Sequence, residues 1–190
     1  YALKRGTTKH KLCMLRMGFS TSYDFRRFLI LPSYNEKGEL NYYVSRNIDV
    51  DTSCGYKYKN ATIPKKHIIF NEINIDWSIP LTIVEGPLDL LKTNDNATCL
   101  LGSSLTEDML LFKKIVQNKT DVKLALDSDA YSKALKIAKI LSAYDIKVDI
   151  LDTRGPSDVG DMSRDQFNKI YNESKKYTEE DSLLSKIRML

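Results

Sequence analysis

The sequence holds no apolar run close to the roughly 20 residues that a membrane-spanning helix needs. Cysteine is scarce. Cys13, Cys54 and Cys99 lie far apart, and no Cys-x-x-Cys pair occurs. That spacing excludes the usual structural zinc sites within the chain. An odd, scattered set also disfavours a disulfide framework and favours a reducing compartment. Histidine is rarer still: His10 and His67 show no ligand spacing and are assigned no role. No apolar leader core follows Tyr1-Ala2-Leu3-Lys4-Arg5. Without targeting, the expected location is the cytoplasm. The chain opens on Tyr1 rather than Met and reads as a fragment with flanking domains missing. Internal repeats and low-complexity segments are also lacking.

What is present is a globular composition. Hydrophobic residues make up 42% and charged residues 28% of 190 positions, enough for one domain or two small subdomains sharing an interface. The net charge of +4 is compatible with a nucleic-acid partner but says little alone. Its distribution says more. Between Tyr1 and Phe70 stand 13 Lys and Arg (4, 5, 9, 11, 16, 26, 27, 37, 46, 57, 59, 65, 66) against five acids (24, 36, 39, 49, 51). The remainder is close to balanced, and its acids cluster in loops.

Residues 1–25 are expected to be helical and then irregular. Arg26 to Tyr34 is rich in Phe, Leu and Ile and predicts a strand. Asn35-Glu36-Lys37-Gly38 predicts a turn, with Gly where positive φ is needed. Leu40 to Ile48 is the returning strand, and 51–64 is a polar loop. From Pro80 the pattern changes to strand–helix alternation. Leu81–Val84, Ala97–Leu101, Val122–Leu126 and Ile146–Leu151 predict strands. Pro87–Thr93, Thr106–Gln117 (with Thr106 at the N-cap), Ala130–Tyr144 and Ser163–Lys175 predict helices, and 177–190 an amphipathic tail. Such alternation implies a parallel sheet covered on both faces. Phe112 and Leu141 are core candidates. Lys133, Lys136 and Lys139 share a helix face, read as solvated. Tyr42, Tyr43, Tyr56 and Tyr58 could stack on bases or pack in the sheet.

Acids gather at the ends of these strands. Glu85 and Gly86 follow the first, with Asp89 one turn further on. Asp127 and Asp129 follow the third. Asp158 and Asp161 follow the fourth, after the turn Arg154-Gly155-Pro156. Ligands of open α/β sheets bind beyond the carboxyl ends of the strands. Crowded carboxylates stay ionised only when a cation neutralises them. Oxygen ligands without histidine suit Mg2+ or Mn2+. Gly86 allows a phosphate or metal to approach the backbone. The bland alternative for each acid alone is a helix cap.

Val84-Glu85-Gly86-Pro87-Leu88-Asp89 resembles the glutamate motif of the topoisomerase–primase (TOPRIM) fold. Leu126-Asp127-Ser128-Asp129-Ala130 resembles its DxD motif. In the basic half, Arg27-Phe28-Leu29-Ile30-Leu31-Pro32, Gly38 and Tyr43 to Arg46 resemble the hairpin of bacterial-type DNA primases. Gly55-Tyr56-Lys57-Tyr58-Lys59-Asn60 resembles their Lys-Tyr-x-Asn segment, and Ile69-Phe70-Asn71 the stretch before the TOPRIM strand. Arg5-Gly6 and Met17-Gly18-Phe19 fit the family's opening helices. The likeness covers about residues 1–165, and the compact form is more similar to a phage-encoded primase than to a cellular one.

The resemblance implies an α/β fold: a TOPRIM-like parallel sheet flanked by helices (80–162), preceded by a smaller α+β basic subdomain (1–79) and followed by a helical segment (163–190). It implies that Glu85, Asp127 and Asp129 are catalytic and hold Mg2+ or Mn2+ together with Asp158 or Asp161, the choice between these two staying open. Arg46, Lys57, Asn60, Lys65 and Lys66 would contact nucleotide or template, beside Gly86 and Asp89. The implied activity is template-directed synthesis of RNA primers by nucleotidyl transfer. The implied partners are single-stranded DNA, ribonucleoside triphosphates and a replicative helicase. A TOPRIM nuclease and a non-catalytic TOPRIM nucleic-acid-binding module are the alternatives.

Overall fold

The computed structural model describes residues 2–49, 56–102, 104–153 and 158–180. Cys54, Gly55, the turn at 154–156 and most of the expected tail lie outside them. The basic half opens with a single 3-10 turn, Leu3–Arg5, and helix α1, Lys9–Met14. Thr8 caps α1, its side chain accepting the Lys11 N–H. Strands β1 (Phe28–Tyr34) and β2 (Leu40–Asn47) form the expected antiparallel hairpin. Gly38 closes its turn at φ +81°, a conformation that a side chain disfavours. Asn35 Oδ1 accepts the N–H groups of Lys37 and Glu39 and fixes the reversal.

The second half is a five-stranded sheet ordered β4-β3-β5-β6-β7. Its strands are β3 (Leu81–Val84), β4 (Ala97–Cys99), β5 (Val122–Ala125), β6 (Val148–Ile150) and β7 (Lys175–Lys176). The first four run parallel, while β7 pairs antiparallel with β6. Helices α2 (Leu110–Asn118), α3 (Tyr131–Ser142) and α4 (Arg164–Asn172) accompany it. The alternation of side chains along β3 and β5 separates two cores. Leu81, Ile83 and Leu124 pack with Phe112, Ile115 and Leu141 from α2 and α3. Val84 and Ala125 pack with Leu31, Tyr42 and Val44 of the hairpin and Phe167 of α4. The basic half thus serves as one cover of the sheet, which accounts for the continuous burial of β3.

A short connector joins the halves. The Asn71 N–H bonds Ser33 Oγ at 3.0 Å, and Asn71 Nδ2 donates to the Ala97 carbonyl at 2.9 Å. Thr98 Oγ1 donates to the Phe70 carbonyl at 2.7 Å.

Three expected elements differ. The helix over Pro87–Thr93 reduces to a 3-10 turn at Asp89–Leu91, because β4 must begin by Ala97 and leaves no length for a second turn. Helix α2 starts at Leu110, not Thr106. The Thr106 hydroxyl donates to Asp108 Oδ1 at 2.6 Å and caps no helix. The helix expected over Ser163–Lys175 ends at Asn172, and its last expected residue enters strand β7, for which Lys175-Lys176 carries no sequence signal. That strand forms because Tyr177 beside it buries its ring in the core. Ser163 does cap α4, in a capping box with Gln166.

Candidate active site

One cleft of about 950 Å³ lies between the strand ends and the hairpin. Its acidic wall is built from three loops that leave the sheet. Glu85 is the first residue after β3 and stands half-buried. Asp127, two residues past β5, starts a 3-10 turn in which the Ala130 N–H bonds the Asp127 carbonyl at 2.8 Å. Asp158 starts the 3-10 turn Val159–Asp161. Thr153 Oγ1 donates to the Leu126 carbonyl at 2.6 Å and ties the second and third loops together.

The electrostatics show how closely these acids crowd. Burial pushes the Asp127 carboxyl above the ordinary aspartate range, and Asp158, Glu85 and Asp129 push it further the same way. A bond from Val159 opposes this. Asp89 is raised to about 7, chiefly by burial. The Gly86 N–H, donating to Asp89 Oδ2 at 2.8 Å, and the Arg5 charge oppose that rise, while Asp127 and Glu85 add to it. Asp89 is wedged between two glycines. A Cβ on Gly160 would lie 2.8 Å from Asp89 Oδ1, and one on Gly86 3.2 Å from Asp89 Oδ2. Gly86 therefore admits Asp89 before any ligand is considered.

The other wall is cationic. Arg46, on β2, is 8% exposed and lies over the Tyr58 ring at 4.7 Å from its centroid. A bridge between Arg46 and Tyr58 backbones holds the pair together. Lys57 and Lys65 line the cleft as exposed side chains. Asn60 also lines it, and its Oδ1 accepts the Ser45 N–H at 3.3 Å. Tyr42 is buried against the hairpin core, so it packs there, while Tyr56 is exposed.

The structure therefore gathers Glu85, Gly86, Asp89, Asp127, Asp158, Asp161, Arg46, Lys57, Asn60 and Lys65 on one cleft. Asp129 is exposed outside the lining, though near enough to act on Asp127. Lys66 is exposed, away from the lining, and its charge acts on Asp108 instead. Asp161 is committed elsewhere: Arg5 Nη2 contacts its Oδ1 at 2.7 Å and the Gly160 carbonyl at 3.0 Å. Two contributors escaped the sequence reading. Arg5 lies far too distant in sequence from its partners for any local signal. Lys133, assigned to a solvated helix face, places Nζ 3.6 Å from Glu85 Oε1. Lys136 and Lys139 on the same face are exposed, as read.

Two buried oxygens test whether a cation suits this wall. Glu85 Oε2 and Asp127 Oδ1 are buried and accept no hydrogen bond. Buried acceptors without partners cost free energy unless something neutralises them. An oxygen-only divalent cation such as Mg2+ or Mn2+ has the charge and ligand preference to meet that need. Among the described residues, no three His, Cys, Asp or Glu side chains already stand close enough together to hold a metal ion. Among the same residues, no helix is long and apolar enough to cross a membrane.

No family model and no curated protein matches the chain. Solved structures do. The zinc-binding and RNA polymerase domains of the Aquifex aeolicus primase superpose with a TM-score of 0.75 at 16% identity, covering 99% of this chain and 60% of that one. The chain thus spans less than two thirds of that relative. A DnaG primase catalytic domain bound to single-stranded DNA gives 0.69 at 16% identity, covering 93% and 71%. A chain from a bacteriophage T7 assembly, in which a lagging-strand DNA polymerase interacts with primase domains bound to an RNA/DNA hybrid, gives 0.60 at 14% identity, covering 92% and 91%. The chain has the fold of a primase catalytic core, as its motifs led us to expect.

Proposed function

We propose that the cleft is the active centre of a primase-type polymerase that joins ribonucleotides on a single-stranded DNA template. One observation carries this proposal: partnerless buried oxygens of Glu85 and Asp127 line the same cleft as Arg46, Lys57 and Lys65. A carboxylate wall with uncompensated charge and a facing set of cations is what a triphosphate with its metal requires.

Glu85, Asp127 and Asp158 would hold Mg2+ or Mn2+, with Asp129 flanking. When bound, the metal supplies Lewis-acid stabilisation of charge on the triphosphate and the leaving pyrophosphate. The chain's own residues do the rest. Arg46 is pre-oriented by Tyr58, so its guanidinium meets a phosphate with little loss of side-chain freedom. Lys57 and Lys65 draw in phosphates of nucleotide or template as solvated point charges. Asp89 accepts the Gly86 N–H and sets the loop that follows β3, which keeps Glu85 at the cleft edge. Arg5 anchors the Gly160–Asp161 turn and pairs with Asp161, which favours Asp158 over Asp161 as the third acidic holder. The 3′-hydroxyl oxygen of the growing primer would bond the α-phosphorus and give up its proton to solvent water, as the bond from that phosphorus to pyrophosphate breaks. Template pairing selects the base, so the chain needs no base-reading pocket. Residues 1–79 and 80–162 would then be the two working parts, and a replicative helicase a further partner.

The test is incubation with single-stranded DNA, labelled ribonucleotides and Mg2+ or Mn2+, with products sized on a gel. Short RNA products lost on Asp127→Asn are expected. Cutting of the DNA without incorporation of ribonucleotides would replace this proposal with a nuclease.

A further inference from the structure

We infer that Lys133 is the resident counter-ion of Glu85 and a positioning residue that sets how tightly the cleft takes a divalent cation. This rests on the metal-holding role of the acidic wall. Lys133 sits in the first turn of α3, which begins directly after the turn that carries Asp127. Of the three lysines in its i, i+3 series it alone is half-buried. Its Nζ lies 3.6 Å from Glu85 Oε1. The other oxygen of the same carboxylate, Oε2, is buried without a partner, as is Asp127 Oδ1.

The pair is therefore half-satisfied. A single positive charge serves one oxygen of Glu85, while the oxygens deeper in the wall stay uncompensated. That is enough to keep Glu85 from swinging into solvent under repulsion from Asp127. It is too little to neutralise a wall that also feels Asp129 and Asp158. A divalent cation among these oxygens carries twice the charge and is repelled by an ammonium beside Glu85. The Lys133 side chain is 37% exposed and flexible along its stem, so it can withdraw its charge toward water while the stem stays packed. Lys133 thus competes with the metal. It keeps the empty wall folded and raises the metal concentration needed to fill it.

The experiment uses the full chain and Mn2+ alone, its binding followed by loss of the free ion's paramagnetic resonance signal. Lys133→Met keeps the stem length and removes the charge. It should bind Mn2+ roughly three- to tenfold more tightly than the parent, the range expected for losing a half-buried ion pair. Lys133→Arg should stay within about twofold of the parent. In a Glu85→Gln background, Lys133→Met should raise affinity by a smaller factor than in the parent, because the carboxylate it occupies is gone and only the repulsion between ammonium and cation is relieved; an equal gain in both backgrounds would sever Lys133 from Glu85. Melting of Lys133→Met should fall without metal and gain more from Mn2+ than the parent does. Lys133→Met binding Mn2+ no more tightly than the parent, whatever its melting temperature, overturns the counter-ion role while leaving the metal site standing. A parent that shows no saturable Mn2+ binding sensitive to Asp127→Asn overturns both.

Discussion

The two walls of the cleft carry opposite charge, and they are also built differently. The acids follow short buried strands, where every backbone group of the sheet fixes the point from which each loop departs. Glu85 comes directly after β3, a strand buried along its whole length. The cations belong to a hairpin and the loop after it, where only Arg46 is locked, by Tyr58 beneath it. Lys57 and Lys65 remain solvated. On the proposed function, the groups that would meet a metal at fixed distances are placed by the rigid scaffold. Groups that attract a polyanion act over the length of a side chain and tolerate mobility. The comparison also explains where like charges crowd: several carboxylates act on Asp127 on the acidic side, while the cationic side buries Arg46 alone of its three cations.

The largest expected break in this comparison is Asp127→Asn. It keeps size and capping capacity but removes a charge. Primer synthesis should fall by about two to three orders of magnitude. Stability without metal should hold or rise, since the cluster repels itself. Gel assays paired with melting curves check both, and parental activity would remove Asp127 from the metal-holding set.

Next comes pH. Asp89 has an ordinary value near 3.8 when unfolded and about 7 in the fold. The native state therefore binds more protons than the unfolded chain across that window. Metal-free stability should be highest below pH 4 on this account and fall as pH rises to 7, by at most about 4 kcal/mol and by less after solvent screening. Asp89→Asn imitates the protonated acid and still accepts the Gly86 N–H. It should flatten this slope in denaturant titrations run from pH 4 to 8. An unchanged slope would mean that Asp89 is not the group responsible.

A smaller effect is expected on the cationic side. Lys57→Ala should weaken single-stranded DNA binding by about 1 kcal/mol, equally for all sequences. The slope of log affinity against log salt should drop by about one, because Lys57 is exposed and one phosphate contact is lost. An unaltered slope in fluorescence anisotropy would remove Lys57 from the binding surface. The smallest effect belongs to Lys136→Ala. That side chain is exposed on the same helix as Lys133 but outside the cleft. Template binding and Mn2+ affinity should stay within about twofold of the parent.

These comparisons also mark what the sequence could disclose. The hairpin, the parallel strands and the acids at their ends were legible because each rests on local periodicity and turn chemistry. Gly38 at positive φ and the capping box at Ser163 are of this kind. The 3-10 turn at Asp89 was not legible, because the early start of β4 overrides a helical pattern. Strand β7 is two lysines whose pairing comes from their neighbour Tyr177 entering the core. The ion pairs of Asp161 and Lys133 were not legible for the same reason. Their partners, Arg5 and Glu85, lie elsewhere in the chain, and only the folded geometry joins them.

The bond between Arg5 and Asp161 also has a consequence in time. Its partners are 156 positions apart, so the loop it closes encloses most of the chain. Closing so long a loop gains its reward only after the intervening sheet exists. On the ribosome, the turn that carries Arg5 must wait for the loop that carries Asp161 to emerge. The sheet and hairpin can form in the meantime without a finished cleft. Assembly of the site is therefore a late event, and an incomplete chain carries the acids and the cations without the clasp that sets them.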